Sequence, residues 1–378
     1  MSKKIIIIGP AYPLRGGLAS YNELLASKLQ ESGHEVKIVT FSLQYPRLLF
    51  PGETQYSEAV QPAGLTIEAR INSVNPLNWY QVGSSIQEEK PDLVILRYWM
   101  PFMAPCLGTI SRIIRKNKYT KVIAITDNII PHESRMGDQL LTRYFLNSCD
   151  GFVTMSKAVL EDLASLNNSK PALFNPHPMY ENFGKATDKA SAKQQLGLES
   201  NQDYVLFFGF IRKYKGLDIL LQAFADERIQ ALGLKLIIAG EYYENPAPYQ
   251  ALIQQLNLKH AIVPVNHYIP DHEVAHYFNA ADLVAQTYRS ATQSGVTQIA
   301  YYYETPMLVT DVGGLAELVP HQKVGYVTSQ SPQEIADSIL DFYTQKREKS
   351  FVKNIQQERK KFTWESMIKT LFRAASLD

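Results

Sequence analysis

The stretch Phe207–Gly216, which reads FFGFIRKYKG, has the pattern of a phosphate-binding turn at the end of a buried strand. An apolar run ends at Gly209, and Arg212 and Lys215 follow just before a helical pattern begins. Glycine lets a backbone approach a ligand closely, and the cations of arginine and lysine neutralise phosphate. The sequence therefore predicts an anion site at this strand end.

A second stretch, Ser290–Gly314, has a related character and reads SATQSGVTQIAYYYETPMLVTDVGG. The step Ser294-Gly295 opens a helical segment, an apolar strand follows, and a Gly-Gly turn closes the unit. A helix N-terminus offers backbone N–H groups that bind anions. We expect the two stretches to converge on one anionic ligand, and the diphosphate of a nucleotide sugar matches them best.

Composition excludes several classes of protein. The chain has 378 residues, enough for two domains, and 45% are hydrophobic. A net charge of +1 argues against a broad nucleic-acid interface. Cys106 and Cys149 show no metal-ligand spacing and form no disulfide framework, which suits the cytoplasm. No signal peptide and no transmembrane run is found, so a cytoplasmic location is predicted.

Strand and helix patterns alternate along the chain, which is typical of parallel sheets covered by helices on both faces. The first set of predicted strands comprises Ile5–Ile8, Val36–Thr40, Leu93–Leu96, Val122–Ile125 and Gly151–Met155. The second set comprises Val205–Phe208, Leu236–Ala239, Ala261–Val265, Leu283–Ala285 and Met307–Thr310. The segment Ser42–Pro76 is less regular and is expected to carry loops.

Two domains are predicted, joined by the polar stretch between Asn175 and Gln202. The N-terminal domain is expected over residues 1–180 and the C-terminal domain over residues 181–359. Residues 360–378 form an amphipathic helical pattern that is expected to cross back to the first domain. Doubly wound domains bind ligands at the carboxyl ends of their strands, so all the candidate segments should line one cleft between the domains.

The glycine loop between the first predicted strand and the first predicted helix allows two interpretations. The backbone N–H groups of Gly16 and Gly17 could meet phosphate or developing negative charge. Alternatively, the loop is a turn that needs a positive φ angle. A glycine loop is a weak signal by itself, and both interpretations stay open here.

Four segments, in this order, resemble those of the family-4 (group 1) retaining glycosyltransferases of the GT-B fold. They are the PLRGG loop at Pro13–Gly17, the segment Gly209–Gly216, the strand–helix pattern after Asp282, and the run TPMLVTDVGGLAE at Thr305–Glu317. The resemblance covers nearly the whole chain. It implies two Rossmann-like doubly wound domains that face each other across a cleft, with the C-terminal helix crossing back.

The resemblance also implies a function. The N-terminal domain would hold the acceptor and the C-terminal domain the nucleotide sugar. The enzyme would transfer a sugar from a nucleoside diphosphate sugar to a hydroxyl of a glycan or lipid-linked acceptor, without a metal or another cofactor. No D-x-D triplet occurs, in agreement with that expectation. Peripheral contact with the inner face of the membrane is left open, and no nucleic-acid partner is expected.

Donor-side roles follow from the residue types and their positions after a strand or at a helix start; a pair of solvated loop cations is the alternative for Arg212 and Lys215. Arg212 and Lys215 would stabilise the departing nucleoside diphosphate, and Gly295 would bind it through the backbone. The family usually carries two glutamates at positions that are Ala291 and Ile299 here. The polar residues available to replace those contacts are Gln293, Ser294, Thr297 and Gln298.

On the acceptor side, the family's usual histidine aligns with Asp127. Asp127 could orient the acceptor hydroxyl or steady positive charge on the sugar, and His132 could transfer a proton. An Asx-turn for Asp127 and a capping or core position for His132 are the alternatives. Arg97 and Trp99, at the end of another strand, would suit a sugar or a pyrophosphate, although packing under a loop is favoured for Trp99.

Other functions remain as alternatives. The losses at Ala291 and Ile299 suggest a binding-only GT-B descendant that holds a nucleotide sugar without turnover. A GT-B epimerase would need several acids and histidines, and a pyridoxal-phosphate phosphorylase would need a Schiff-base lysine; the sequence reveals neither. A Rossmann dehydrogenase is disfavoured because no G-x-G-x-x-G follows the first strand.

Overall fold

The computed structural model describes residues 2–46, 54–57, 60–130, 136–166, 169–291 and 294–377. The chain divides into two compact units. Unit 1 comprises Met1–Pro178 and Thr363–Asp378, and unit 2 comprises Met179–Phe362. The C-terminal segment therefore belongs to the first unit, although it follows the second along the chain.

Each unit has its own parallel sheet. The strands of unit 1 are β1 (Lys4–Ile8), β2 (Glu35–Leu43), β3 (Thr66–Asn72), β4 (Leu93–Tyr98), β5 (Lys121–Thr126), β6 (Gly151–Thr154) and β7 (Ala172–Phe174). Those of unit 2 are β8 (Tyr204–Phe208), β9 (Lys235–Ala239), β10 (Ile262–Val265), β11 (Leu283–Gln286), β12 (Met307–Thr310) and β13 (Gly325–Thr328). Their orders are β3-β2-β1-β4-β5-β6-β7 and β10-β9-β8-β11-β12-β13. Both orders reverse direction beside a central strand, β1 or β8, as in doubly wound folds.

Helices connect the strands. The helices are α1 (Gly17–Glu31), α2 (Pro76–Glu89), α3 (Ala104–Ile114), α4 (Asp138–Leu146), α5 (Lys157–Ser165), α6 (Lys189–Gln195), α7 (Leu217–Phe224), α8 (Glu227–Ala231), α9 (Ala247–Gln255), α10 (Asp271–Ala280), α11 (Gly295–Tyr302), α12 (Leu315–Leu318), α13 (Pro332–Thr344), α14 (Glu348–Glu358) and α15 (Trp364–Ala375). Ser331 caps α13, because its side chain accepts a hydrogen bond from the backbone N–H of Glu334. Among the described residues, no helix is long and apolar enough to cross a membrane.

The C-terminal helix α15 packs on unit 1, in contact with β5, β6 and β7. Its first residue, Trp364, lies against Tyr21 of α1, with the ring centroids 5.0 Å apart. The amphipathic pattern explains this placement, since Met367 and Leu371 are fully buried. The predicted fold class, with two Rossmann-like domains and a returning C-terminal helix, is confirmed.

Three strands lie outside the sequence-based prediction. β3 lies within the segment that was expected to carry loops, and the prediction for that part of Ser42–Pro76 was wrong. Its sequence, TIEARIN, alternates polar and apolar residues at the edge of the sheet, so it lacks the apolar run of a central strand. β7 and β13 are short strands at the opposite sheet edges. Residues 47–53, 58 and 59 of the same segment lie outside the described residues.

Candidate functional site

A buried lysine marks the carboxyl end of β8. Lys215 ends a short 3₁₀ turn that follows the strand, and only 7% of it is exposed. Its Nζ donates a hydrogen bond to the backbone oxygen of Phe208 at 3.4 Å and lies 5.6 Å from the ring centroid of Tyr288. Gly209 has a φ of 94°, and a Cβ there would lie 2.8 Å from Nζ. Glycine at this position therefore leaves room for the ammonium group.

The surroundings of Lys215 disfavour its charge. Burial lowers the pKa of Lys215, and the nearby charge of Arg212 lowers it further, to about 7. A carbonyl oxygen and an aromatic ring stabilise an ammonium group much less than a carboxylate does. The positive charge of the ammonium group is therefore only weakly stabilised here, and an anion bound at this site would neutralise it.

Arg212 stands beside this lysine, directly before the 3₁₀ turn. Its Cζ lies 4.9 Å from the ring centroid of Tyr243, in a cation–π contact. Tyr243 packs in turn on Phe210, with the ring centroids 4.2 Å apart. This aromatic support places the guanidinium near the carboxyl ends of β8 and β9. The sequence did not predict Tyr243, since nothing in it indicates which aromatic residue meets Arg212.

The start of α11 lies next to the turn that carries Lys215. β8 and β11 are neighbouring strands, and the Thr287 hydroxyl donates to the backbone oxygen of Gly216 at 2.8 Å. Tyr288, whose ring lies near Lys215, has its Oη 3.3 Å from Oγ of Ser294, the N-cap residue of α11. The two stretches that the sequence predicted to converge thus lie side by side within unit 2. Tyr288 connects them, a role that was not predicted.

Access to the first turn of α11 is shaped by Tyr180. A Cβ at Gly295 would lie 3.0 Å from Cε2 of this tyrosine, so the ring packs against the glycine. Ser294 is the N-cap residue of α11, but its side chain makes no capping hydrogen bond to the helix. The hydroxyl turns to Tyr288 instead.

The other side chains that were predicted to contact the donor are buried or lie outside the described residues. Thr297 and Gln298 are fully buried, so a contact of either side chain with a donor would need a local opening of α11. The Thr297 hydroxyl donates to Oε1 of Gln286 at 3.2 Å. Among the described residues, neither amide atom of Gln298 has a hydrogen-bond partner, which is rare for buried polar atoms. Gln293 lies outside the described residues.

Gln286 was missed because the predicted strand ended at Ala285. The signal that could have identified it is a polar side chain that continues an apolar strand. It is buried at the end of β11, and its Nε2 has no partner among the described residues. Ala291 and Ile299, the positions of the usual glutamates, are buried apolar residues.

In unit 1, the glycine loop forms a tight turn that leads into α1. Gly16 has a φ of 106° and is the N-cap residue, and Gly17 is the first helical residue. The backbone oxygen of Gly16 accepts hydrogen bonds from Ala19 and Ser20. The turn that requires a positive φ is therefore present at Gly16, and phosphate binding by the loop stays a prediction.

Asp127, at the end of β5, forms a buried ion pair. Its two carboxylate oxygens accept hydrogen bonds from Nε and Nη2 of Arg97, both at 2.6 Å. Arg97 is 2% exposed and Asp127 6% exposed, and the Tyr21 ring centroid lies 4.1 Å from Cζ of Arg97. The sequence did not predict this pair. The predicted catalytic role of Asp127 stays a prediction, and His132 lies outside the described residues.

The residues next to Arg97 belong to the core of unit 1. Tyr98 stacks on Phe145 with the centroids 4.2 Å apart. Trp99 donates its indole N–H to Oη of Tyr45 at 2.7 Å, as the packing interpretation predicted. Within the described parts of the chain, no group of three or more His, Cys, Asp or Glu residues is placed to hold a metal ion.

Family models match both halves of the chain. The model described as Glycosyltransferase Family 4 matches residues 15–173, and the model described as Glycosyl transferases group 1 matches residues 188–360. An uncharacterized glycosyltransferase of Methanocaldococcus jannaschii is 23% identical, over 97% of this chain and 96% of its own length. The two models together span nearly all of both units.

Solved structures agree in fold. Sucrose-phosphate synthase from Thermosynechococcus elongatus superimposes with a TM-score of 0.77 at 16% identity, covering 98% of each chain. The Anabaena protein Alr3699/HepE, in complex with UDP-glucose, gives a TM-score of 0.73 at 18% identity and covers 99% of each chain. At these identities the likeness shows the fold alone. From the family models and the fold together, this chain is a glycosyltransferase and belongs to the family-4 (group 1) glycosyltransferases of the GT-B fold.

Proposed function

We propose that this enzyme transfers a sugar, with retention and without a metal ion, from a nucleoside diphosphate sugar to a hydroxyl of a glycan or lipid-linked acceptor. The observation that carries the proposal is Lys215. Among the described residues, the buried ammonium group of Lys215 has one hydrogen-bond acceptor, the backbone oxygen of Phe208; its burial is costly unless an anion balances the charge, and a diphosphate would supply that anion. Arg212 and the start of α11 lie within the same part of unit 2 and would complete the anion site.

The proposed chemistry needs only the donor, the acceptor and these protein groups. The bond between the anomeric carbon and the β-phosphate oxygen breaks, and its electron pair stays on the nucleoside diphosphate. Lys215 and Arg212 stabilise that departing charge. The acceptor oxygen bonds to the anomeric carbon on the face of the sugar from which the phosphate departs. Its proton passes to an oxygen of the leaving phosphate, so no carboxylate nucleophile is required.

The choice of donor can be tested directly. Because a protein of the same fold has been solved with UDP-glucose, we take this donor first, with GDP-glucose and ADP-glucose beside it. We expect one of them to bind, and Arg212→Ala to weaken that binding about tenfold to a hundredfold, since hydrogen bonds to charged groups contribute roughly 1.5–3 kcal/mol. Isothermal titration calorimetry measures the affinity.

The matched control is Lys213→Ala, which removes an exposed cation from the same 3₁₀ turn. It should leave the affinity nearly unchanged. An equal loss of donor affinity in the two variants would indicate a general effect of charge and would contradict a specific role of Arg212. Binding without hydrolysis, and without transfer to any acceptor in a glycan and lipid extract, would favour the binding-only alternative.

Metal independence is a separate prediction. We expect EDTA to leave transfer and donor hydrolysis nearly intact, because the proposed site meets the diphosphate with protein cations. The measurement is the turnover rate before and after chelation, followed by addition of Mg²⁺ or Mn²⁺. A strict requirement for either ion would contradict the proposal and would call for carboxylate ligands outside the described residues.

A further inference from the structure

Unit 1 contains a cavity of about 470 Å³, a volume typical of sites that bind small molecules. It lies between the segment that follows β5 and helix α4. Much of its lining is apolar and consists of Ile129, Ile130, Met136, Leu140 and Leu166. We call this feature the α4 cavity.

One wall of the α4 cavity is anchored in the core. Thr142 of α4 lines the cavity, and its hydroxyl lies 3.0 Å from Oη of Tyr98. Tyr98 is the last residue of β4 and stacks on Phe145, also on α4. The same Thr142 hydroxyl is 3.4 Å from the backbone oxygen of Ile129. These contacts fix α4 relative to Tyr98 and Ile129, so the cavity has a preformed wall.

The position of the α4 cavity relates it to the predicted acceptor side. Ile129 follows Asp127 by two residues, directly after the carboxyl end of β5. Asp127 is tied to the neighbouring strand end, since its backbone N–H donates to the oxygen of Tyr98 at 2.8 Å. Ligands of doubly wound domains bind at this edge of the sheet. The cavity is therefore adjacent in the chain to the segment where an acceptor is expected.

The apolar lining continues outward onto the surface of α4. Leu140 is 74% exposed although it lines the cavity, and Met136 is fully exposed. Exposed apolar side chains at the rim of a cavity are a feature of ligand-binding grooves. A hydrocarbon chain would bury it and gain the hydrophobic contribution.

A positive charge beside the α4 cavity indicates the second chemical feature of a matching ligand. Arg143 lines the cavity and lies one helical turn after Leu140. Within the part of the chain that the structure describes, Arg143 makes no ion pair. Asp138, at the start of α4, is an acidic side chain of the lining and has an interaction of its own. The cation next to an apolar wall matches an amphiphile with an anionic head group.

We propose that the α4 cavity binds the hydrocarbon chain of a lipid acceptor from the membrane, with Arg143 at its anionic head group. The inference rests on the proposed function, because it assigns the acceptor of that transfer to the lipid class. Helix α4, together with Ile129 and Ile130, then faces the lipid surface that supplies the acceptor.

Dodecyl phosphate, below its critical micelle concentration, is a suitable probe, and calorimetry measures its binding to the full chain. We expect Leu140→Glu to weaken binding at least about tenfold, because it removes an apolar contact and places a negative charge beside an anionic head group. The control is Leu77→Glu on α2, a leucine that is 77% exposed and lies outside the cavity lining. Arg143→Gln should weaken dodecyl phosphate several-fold and leave uncharged dodecyl maltoside unaffected.

Several outcomes would overturn the inference. The first is a parent protein that does not bind dodecyl phosphate, and the second is an equal loss in Leu77→Glu. Sedimentation velocity gives a third: a dimer of the parent that Leu140→Glu dissociates would assign this surface to a second copy of the chain. UDP-glucose, GDP-glucose and ADP-glucose binding is measured in the same variants. If dodecyl phosphate binds with the expected pattern and no nucleotide sugar binds, the proposed function fails while the lipid site is supported.

Discussion

Replacing Asp127 by alanine is expected to lower the free energy of unfolding by about 3–5 kcal/mol. Both carboxylate oxygens are hydrogen-bonded to Arg97, and both side chains are buried. The variant keeps the guanidinium charge in the core and removes the carboxylate that neutralises it. The Tyr21 ring over Arg97 compensates only a small part of this loss. Urea unfolding followed by near-UV circular dichroism measures the change.

Two further variants separate the ion pair from general damage. The double variant Arg97→Met, Asp127→Leu should regain most of the lost stability, because removing both charges leaves no buried ion without a partner. Glu365→Ala removes the exposed pair with Lys369 on α15 and should leave the unfolding midpoint unchanged. If Asp127→Ala is as stable as the parent but turns over more slowly, the ion pair is not structural, and the catalytic interpretation of Asp127 is favoured.

This ion pair shows where reasoning from sequence ends. The apolar runs of β4 and β5 predicted both strands, because central strands of a parallel sheet are buried on both faces. The pairing of Arg97 with Asp127 depends on the register, in which Tyr98 lies opposite Thr126. Register comes from the packing of the whole sheet and is not encoded in either strand alone. The sequence shows that Arg97 ends an apolar strand, but it does not show that Asp127 is its partner.

Unit 2 gave a different result. The positions of Arg212, Lys215 and Ser294 beside strand ends followed from glycine and helix-start patterns, and the structure places these segments together. The sequence did not predict which of these side chains are buried. Lys215 is buried because its side chain folds back toward Phe208, whereas Thr297 and Gln298 lie on the buried side of α11. A helix of eight residues offers too few periods to assign its faces from sequence.

Replacing Lys215 by methionine is expected to stabilise the ligand-free protein and to weaken donor binding. Methionine keeps the length of the side chain and removes the buried charge. The pKa of Lys215 is lowered to about 7 in the folded protein, and its ordinary value is 10.5. The shift corresponds to a destabilisation on the order of 5 kcal/mol while the lysine is charged. The variant should therefore unfold at a higher urea concentration than the parent at pH 6.

The sign of the pH dependence follows from this shift. The unfolded chain binds more protons than the folded chain between pH 7 and pH 10.5, so the parent becomes more stable as the pH rises through this window. The penalty is fully present below pH 7 and disappears above pH 10.5. The stability difference between Lys215→Met and the parent should shrink accordingly. A constant difference across this window would contradict the assignment of the shift to Lys215.

Donor binding should show the opposite trend, because the diphosphate stabilises the charged lysine and raises its pKa. Above pH 7 the parent must take up a proton to bind, so its affinity for the donor should fall by up to about tenfold per pH unit. Calorimetry at pH 8 in HEPES and in Tris buffer measures the uptake of that proton, since the two buffers differ in ionisation enthalpy and neither supplies phosphate to the site. Lys215→Met should bind about a hundredfold more weakly than the parent at pH 6 and lose both effects. If the variant keeps the parent's pH dependence, the proton belongs to another group, and Lys215 does not meet the diphosphate.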